Sequence, residues 1–178
     1  KTPVEVFWCL TDRCNLRCGY CRPSVDAACA APSGQALGDD EIVAAVSAAV
    51  AAGITKVRLT GGEPLLRPGL PALIRRLSVL PGLADLSLTT NGILLAAMAR
   101  ELAASGLGRI NVSLDTLVPE RFKAVAGSGH PRTVLDGVSS AVAAGLSPVK
   151  LNVVVMAGIN DDEVPEFVRL THSMPVHV

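Results

Sequence analysis

T11-D-R-C-N-L-R-C-G-Y-C-R-P23 follows directly on a β-prone run, E5-V-F-W-C-L10, and decides how the rest of the chain is read. It spaces Cys14, Cys18 and Cys21 as C-x3-C-x2-C, three thiolates with no fourth. A cubane iron–sulfur cluster held this way keeps one iron free of protein, open to a substrate or cofactor. Ferredoxin-type clusters take four cysteines. A structural zinc site also takes four ligands, often as two C-x2-C pairs. Cys9 and Cys29 are the only other cysteines and form no second pair. Disulfide frameworks belong to small secreted chains with an even cysteine count, whereas this chain has five. The open cluster is therefore the preferred reading, with zinc as the alternative.

Outward from this stretch, β-rich runs alternate with alanine-rich helical ones. Strands are expected at Glu5–Leu10, Lys56–Thr60, Leu83–Thr89, Arg109–Leu114, Val149–Val155 and Pro175–Val178. Helices are expected at Asp39–Ala52, Leu70–Leu80, Leu94–Ser105, Thr133–Ala144 and Asp161–Ser173. Gly53, Gly106 and Gly145 follow helical runs, as C-terminal caps do. Asp39 and Thr133 are expected as N-caps, Thr133 with Asp136 in an approximate capping box. Repeated β–α units imply an α/β fold: a parallel sheet with right-handed crossovers, helices outside, in a partial (β/α)6 barrel. One domain over residues 1–178 is expected, its sixth strand incomplete. The loop Ser24–Leu37, rich in Ala, Pro, Ser and Gly, is expected to be a mobile flap or disordered.

In such barrels the chemistry collects at the C-terminal ends of the strands. The cysteines follow strand one, G61-G-E-P64 follows strand two, and T89-T-N-G92 follows strand three. N111-V-S-L-D115 closes strand four, and Lys150 and Asn152 lie on strand five. Tyr20 is placed to pack on a flat base, or simply to cover the cluster. Gly61 and Gly62 permit close approach of backbone to a small ligand, with Glu63 favouring a positive charge there. Alternation puts Arg109, Asn111, Ser113 and Asp115 on one face, which suggests a wet interior. Lys150, and similarly Arg58, needs an anion such as a phosphate or a structural carboxylate partner. G127-S-G-H130 lacks the phosphate-loop pattern and reads as a turn. His130, His172 and His177 show no metal-ligand spacing.

Sixteen basic and sixteen acidic residues cancel without a basic run, which argues against a nucleic-acid polymer as partner. The longest apolar stretch, Ile42–Ile54, is too short for a bilayer, so no membrane partner is expected. Reduced cysteines and no apparent targeting segment suggest the cytoplasm.

The cysteine spacing resembles that of the radical S-adenosylmethionine (SAM) superfamily. T11–Cys21, V57-R-L-T-G-G-E-P-L-L-R67, L88-T-T-N-G92, I110-N-V-S-L-D-T116, Arg121-Phe122, V134-L-D-G-V138, A144-G-L146, Pro148–Val154 and N160-D-D-E163 together resemble its GTP 3',8-cyclase family, of molybdenum cofactor biosynthesis. The resemblance implies that Cys14, Cys18 and Cys21 ligate a [4Fe–4S] cluster. It implies SAM contacts at Tyr20, Gly62 and Ser113, beside the Gly61 and Glu63 already read from the turn after strand two as cofactor-binding, and GTP contacts at Arg58, Thr89 and Lys150. It implies reductive cleavage of SAM to a 5'-deoxyadenosyl radical, which takes the ribose 3' hydrogen of GTP so that the sugar radical attacks C8. A flavodoxin or ferredoxin would supply the electron, and a homodimer is the expected assembly. Phe7 departs from the pattern: the family has an arginine there that contacts GTP. The family's second cluster, held by three cysteines in a C-terminal extension, has no counterpart within residues 1–178. A divergent radical SAM enzyme acting on another nucleotide, sugar or peptide, and an inactive iron–sulfur or zinc module, are the alternatives.

Overall fold

A computed structural model describes residues 5–21 and 37–178. Residues 24–36 of the expected flap, and Cys29 with them, lie outside the described residues. The strands are β1 (Glu5–Cys9), β2 (Lys56–Thr60), β3 (Asp85–Thr90), β4 (Arg109–Ser113), β5 (Val149–Asn152) and β6 (Val176–His177). They form one sheet in sequence order, every neighbouring pair parallel. The connecting helices are α1 (Asp39–Ala51), α2 (Leu70–Ser78), α3 (Leu95–Ala104), α4 (Pro119–Ala126), α5 (Pro131–Ala143) and α6 (Val164–Ser173).

Several boundaries differ from the sequence reading, each for a local reason. β5 stops at Asn152 rather than Val155, and the Val154 N–H goes to the Asp115 carboxylate, 2.9 Å away. The expected helix Asp161–Ser173 divides into a 3₁₀ turn, Asp161–Glu163, and α6. Pro165 enters in the first turn of α6, where no N–H is needed. The N-cap of α1 is Gly38, not Asp39, and its N–H reaches Glu41 Oε2 at 2.8 Å. The N-cap of α5 is His130, not Thr133; its Nδ1 accepts the Arg132 N–H at 3.1 Å, with Pro131 at the first helical position. α4 was not foreseen, although Pro119 opens it and Gly127, in a left-handed conformation, closes it.

Alternation divides the sheet into two unlike faces. Val57, Leu59, Leu86, Leu88, Ile110, Val112, Val149, Leu151 and Val176 are buried on the outer face. They share one core with α1 (Ile42, Val46), α2 (Leu70, Leu73, Ile74, Leu77), α3 (Leu95, Leu102), α5 (Val134, Val138) and α6 (Phe167). Trp8 of β1 packs against the same core, partly buried. The inner face carries Glu5, Phe7, Arg58, Asp85, Thr89, Arg109, Asn111, Ser113, Lys150, Asn152 and His177. At its lower end Arg58 pairs with Glu5 at 2.8 Å, and Arg109 pairs with Asp85 through Nε at 2.9 Å. Glu5 also lies 3.9 Å from Arg109, so the network crosses the sheet.

Two neighbouring substitutions check this division. Leu88→Ala should destabilise the fold by ~2–5 kcal/mol through lost burial and a cavity. Thr89→Ala, on the other face, should stay within ~0.5 kcal/mol. Urea unfolding followed by circular dichroism reads both, and equal costs would contradict the assignment of faces.

Candidate functional site

The cysteine loop leaves β1 and is held at both ends by backbone. Leu10 N donates to Thr60 O at 2.8 Å, Gly62 N to Thr11 O at 2.6 Å and Glu63 N to Arg13 O at 2.7 Å. Arg17 N and Gly19 N then donate to Ala126 O and Val125 O, at 3.0 and 3.1 Å. The unforeseen α4 therefore anchors the second half of the loop with the carbonyls of its last turn. Gly61 and Gly62 do permit a close approach, but the approaching partner is the cysteine loop itself. A Cβ on Gly61 would lie 2.4 Å from Thr11 O, and one on Gly62 2.3 Å from Arg13 O. The positive φ of Gly61, 133°, excludes other residues independently.

Cys14, Cys18 and Cys21 are free thiols, Cys14 exposed and the other two partly buried. Burial pushes the Cys18 thiol up, and Asp115 and the other two cysteines push it further, so all three lie within electrostatic reach. Among the described residues, no three His, Cys, Asp or Glu side chains are arranged to hold one metal ion. The set fits a cubane instead: each of three thiolates takes a different iron, so they need not converge on a point. Leu16 N lies 3.4 Å from Cys14 Sγ and supplies a donor to that sulfur.

Tyr20 is secured through its hydroxyl, which donates to Asp115 Oδ2. The other Asp115 oxygen takes the Val154 N–H. The Asp115 carbonyl accepts Asn160 Nδ2 at 2.6 Å, and Asn160 Oδ1 accepts the Met156 N–H at 2.6 Å. Burial and the Asp115 hydrogen bond raise the Tyr20 hydroxyl well above the ordinary phenol range, so it stays protonated. The ring remains 45% exposed, which leaves it a face to offer. Tyr20, Cys18, Asp115 and Ser113 line one small cavity.

Ser113 also borders a larger cavity, of about 600 Å³, on the inner face of the sheet. Arg58, Thr89, Asn111, Lys150 and His177 line it, with Phe7 at one side. The Arg58 guanidinium sits 4.8 Å from the Phe7 ring centroid, a cation–π contact, besides its pairing with Glu5. Arg58 Nε and Asn111 Nδ2 are buried without a partner among the described residues. Lys150 makes no ion pair among the described residues. The structural-partner reading thus holds for Arg58 and not for Lys150. Arg58, Thr89, Ser113 and Lys150 are brought together, whereas Gly61, Gly62 and Glu63 line neither cavity.

Residues 8–171 match the family model described as the radical SAM superfamily. The chain belongs to this superfamily. Radical SAM proteins use a [4Fe–4S] cluster with SAM, and the three-thiol loop fits that group. The GTP 3',8-cyclase of Heliobacterium modesticaldum is 50% identical over 95% of this chain and 51% of its own length. That of Pelotomaculum thermopropionicum is 48% identical over 95% and 52%. The chain spans about half the length of these curated relatives. Streptococcus suis SuiB bound to S-adenosylmethionine matches in fold with a TM-score of 0.78 at 20% identity, over 94% of this chain and 37% of that one.

The sequence reading has Glu63 favouring a positive charge bound at the glycine turn; in this radical SAM chain its side chain is instead turned into the protein. It is 0% exposed. It accepts Leu65 N–H at 3.0 Å, Thr90 Oγ1–H at 2.7 Å and Asn91 N–H at 2.7 Å. Burial pushes its carboxyl up, and those three donors oppose the shift. Glu163 repeats the device one strand later, taking Thr116 Oγ1–H and Leu117 N–H, both at 2.6 Å. There burial also pushes upward, but Thr116, Arg121 and Leu117 outweigh it and hold the carboxyl below its usual value. The difference is the Arg121 guanidinium, 2.8 Å from Glu163.

Glu63→Gln should destabilise the protein by ~1–3 kcal/mol, because either amide orientation sets an NH₂ against a buried N–H. Thermal unfolding at neutral pH measures it, and an unchanged midpoint would contradict the three-donor arrangement. Tyr20→Phe and Asp115→Asn should be coupled by ~0.5–3 kcal/mol in a double-mutant cycle of urea unfolding. Additive costs would show that the hydroxyl–carboxylate contact carries no energy.

Proposed function

We propose that this chain forms the cluster-bearing barrel of a GTP 3',8-cyclase, converting GTP to 3',8-cyclo-7,8-dihydro-GTP for molybdenum cofactor biosynthesis. In this reading residues 1–178 are one radical SAM core domain. The observation that carries the reading is the inner cavity. Among the described residues it offers Lys150 without an ion-pair partner and two buried unpartnered donors, Arg58 Nε and Asn111 Nδ2. Buried donors without acceptors are costly, so a polyanion with further acceptors matches the site. The likeness to the cyclases of Heliobacterium modesticaldum and Pelotomaculum thermopropionicum supports the same substrate.

Cys14, Cys18 and Cys21 hold the [4Fe–4S] cluster in this reading. When bound, the cluster supplies the electron that cleaves SAM to methionine and a 5'-deoxyadenosyl radical. Tyr20 presents its ring to the cofactor while Asp115 fixes its hydroxyl. Ser113, on the wall between the two cavities, contacts the cofactor on one side and borders GTP on the other. Gly61, Gly62 and Glu63 act by fixing the cysteine loop and the loop after β3. Lys150, Thr89 and Arg58 bind and orient GTP, and the polar sheet face positions the ribose for hydrogen transfer. The electron donor is a flavodoxin or ferredoxin, the compartment is the cytoplasm and the assembly is a homodimer. Among the described residues, no helix is long and apolar enough to cross a membrane.

Phe7 favours a second reading, a divergent radical SAM enzyme with another nucleotide. The ring stands 60% exposed at the cavity, beneath the Arg58 guanidinium, and brings no charge of its own.

Anaerobic reconstitution of the full-length protein with iron, sulfide, reductant, SAM and GTP separates the two. The cyclase reading expects 5'-deoxyadenosine together with the 3',8-cyclised product. It also expects Lys150→Ala to weaken GTP binding ~10-fold or more, the scale of a lost charge-assisted contact. 5'-Deoxyadenosine without cyclised product rejects the cyclase and retains the superfamily chemistry.

A further inference from the structure

Asn91 occupies the turn after β3, and its N–H and both side-chain polar atoms have partners. Its N–H donates to Glu63 Oε2 at 2.7 Å. Its side-chain Oδ1 accepts the Ile93 N–H at 3.0 Å. That bond fixes which end of the amide is oxygen, because an N–H cannot donate to an NH₂. Nδ2 therefore faces the cysteine loop with two hydrogens to give. One goes to Asn15 Oδ1 at 2.7 Å, and the other meets Cys14 Sγ at 3.8 Å.

We propose that Asn91 is a positioning residue that sets the reduction potential of the cluster by donating a side-chain N–H to the Cys14 sulfur. The inference rests on Cys14 being a cluster ligand. Hydrogen bonds to ligand sulfurs are among the levers that set iron–sulfur potentials. A donor to a thiolate strengthens as the cluster gains an electron, so it favours the reduced state and raises the potential. Leu16 N donates to the same sulfur, but a backbone donor belongs to any sequence. The Asn91 donor depends on side-chain identity: an aspartate keeps the Oδ1 acceptor and replaces the donor with negative charge. The buried Glu63 carboxylate thereby reaches the cluster indirectly, by holding the Asn91 backbone.

The test is a redox titration of the anaerobically reconstituted full-length protein without SAM or GTP, followed by electron paramagnetic resonance of the reduced cluster. Asn91→Ala should shift the midpoint to more negative potential, lowering the ratio of reduced to oxidised cluster at a fixed potential by about two- to tenfold. Asn91→Asp, nearly isosteric, should shift it further the same way. Iron content, read in parallel, separates the outcomes. Full iron with unmoved midpoints in both variants overturns the inference and leaves the cluster assignment standing. Loss of iron in both variants, with the fold intact by circular dichroism, also overturns it, because Asn91 would then be required for assembly. A Cys14→Ser variant that keeps full iron and an unchanged spectrum removes the ligand assignment and the inference together.

Discussion

A parallel sheet ordinarily buries both faces, and this one buries only its outer face in apolar side chains. The opposite face carries Arg58, Asp85, Arg109, Asn111, Ser113, Lys150 and Asn152, none of which can be packed dry without a partner. At the lower end the solution is internal: Glu5, Asp85, Arg58 and Arg109 neutralise one another. Further up, Asn111 Nδ2 is a buried donor without a partner among the described residues, and Lys150 has no carboxylate paired with it there. That gradient, from closed ion pairs to open donors, makes the sheet a floor below and a binding surface above.

Above that surface, among the described residues, the loops are joined by carboxylates and backbone. Glu63 joins the turn after β2 to the turn after β3, and Glu163 joins the turn after β4 to the turn before α6. Each uses a threonine hydroxyl and the following N–H, so one local solution appears twice on neighbouring strands. Asp115 performs a third junction, tying Tyr20 to the segment after β5. Buried carboxylates are costly when unpaired and rigid when fully satisfied, which suits a loop that must present thiolates in fixed relation.

The sequence shows the strand rhythm and the thiol trio because both depend on residues a few positions apart. It shows the polar inner face as well, since R109-I-N-V-S-L-D115 alternates cleanly. Glu63 reads in the sequence as a counter-charge for a ligand and is buried in the structure, a placement local pattern misses because its partners Thr90 and Asn91 lie 27 and 28 residues away. The glycine pair correctly signals a close approach, but local pattern cannot say that Thr11 and Arg13 are what approaches. α4 is eight residues long with only Phe122 and Ala126 buried, too short for its periodicity to stand out. Pro119 and Gly127, which bracket it, are the signal that could have found it.

The chain has one tryptophan and one tyrosine, and both lie close to the cysteine trio in sequence: Trp8 on β1, and Tyr20 between Cys18 and Cys21. One packs against the core and the other is tethered to Asp115. The near-ultraviolet emission of residues 1–178 therefore comes from the segment around the three thiols and almost nowhere else. The fold carries its own optical reporter at the place where an iron–sulfur chromophore would quench it.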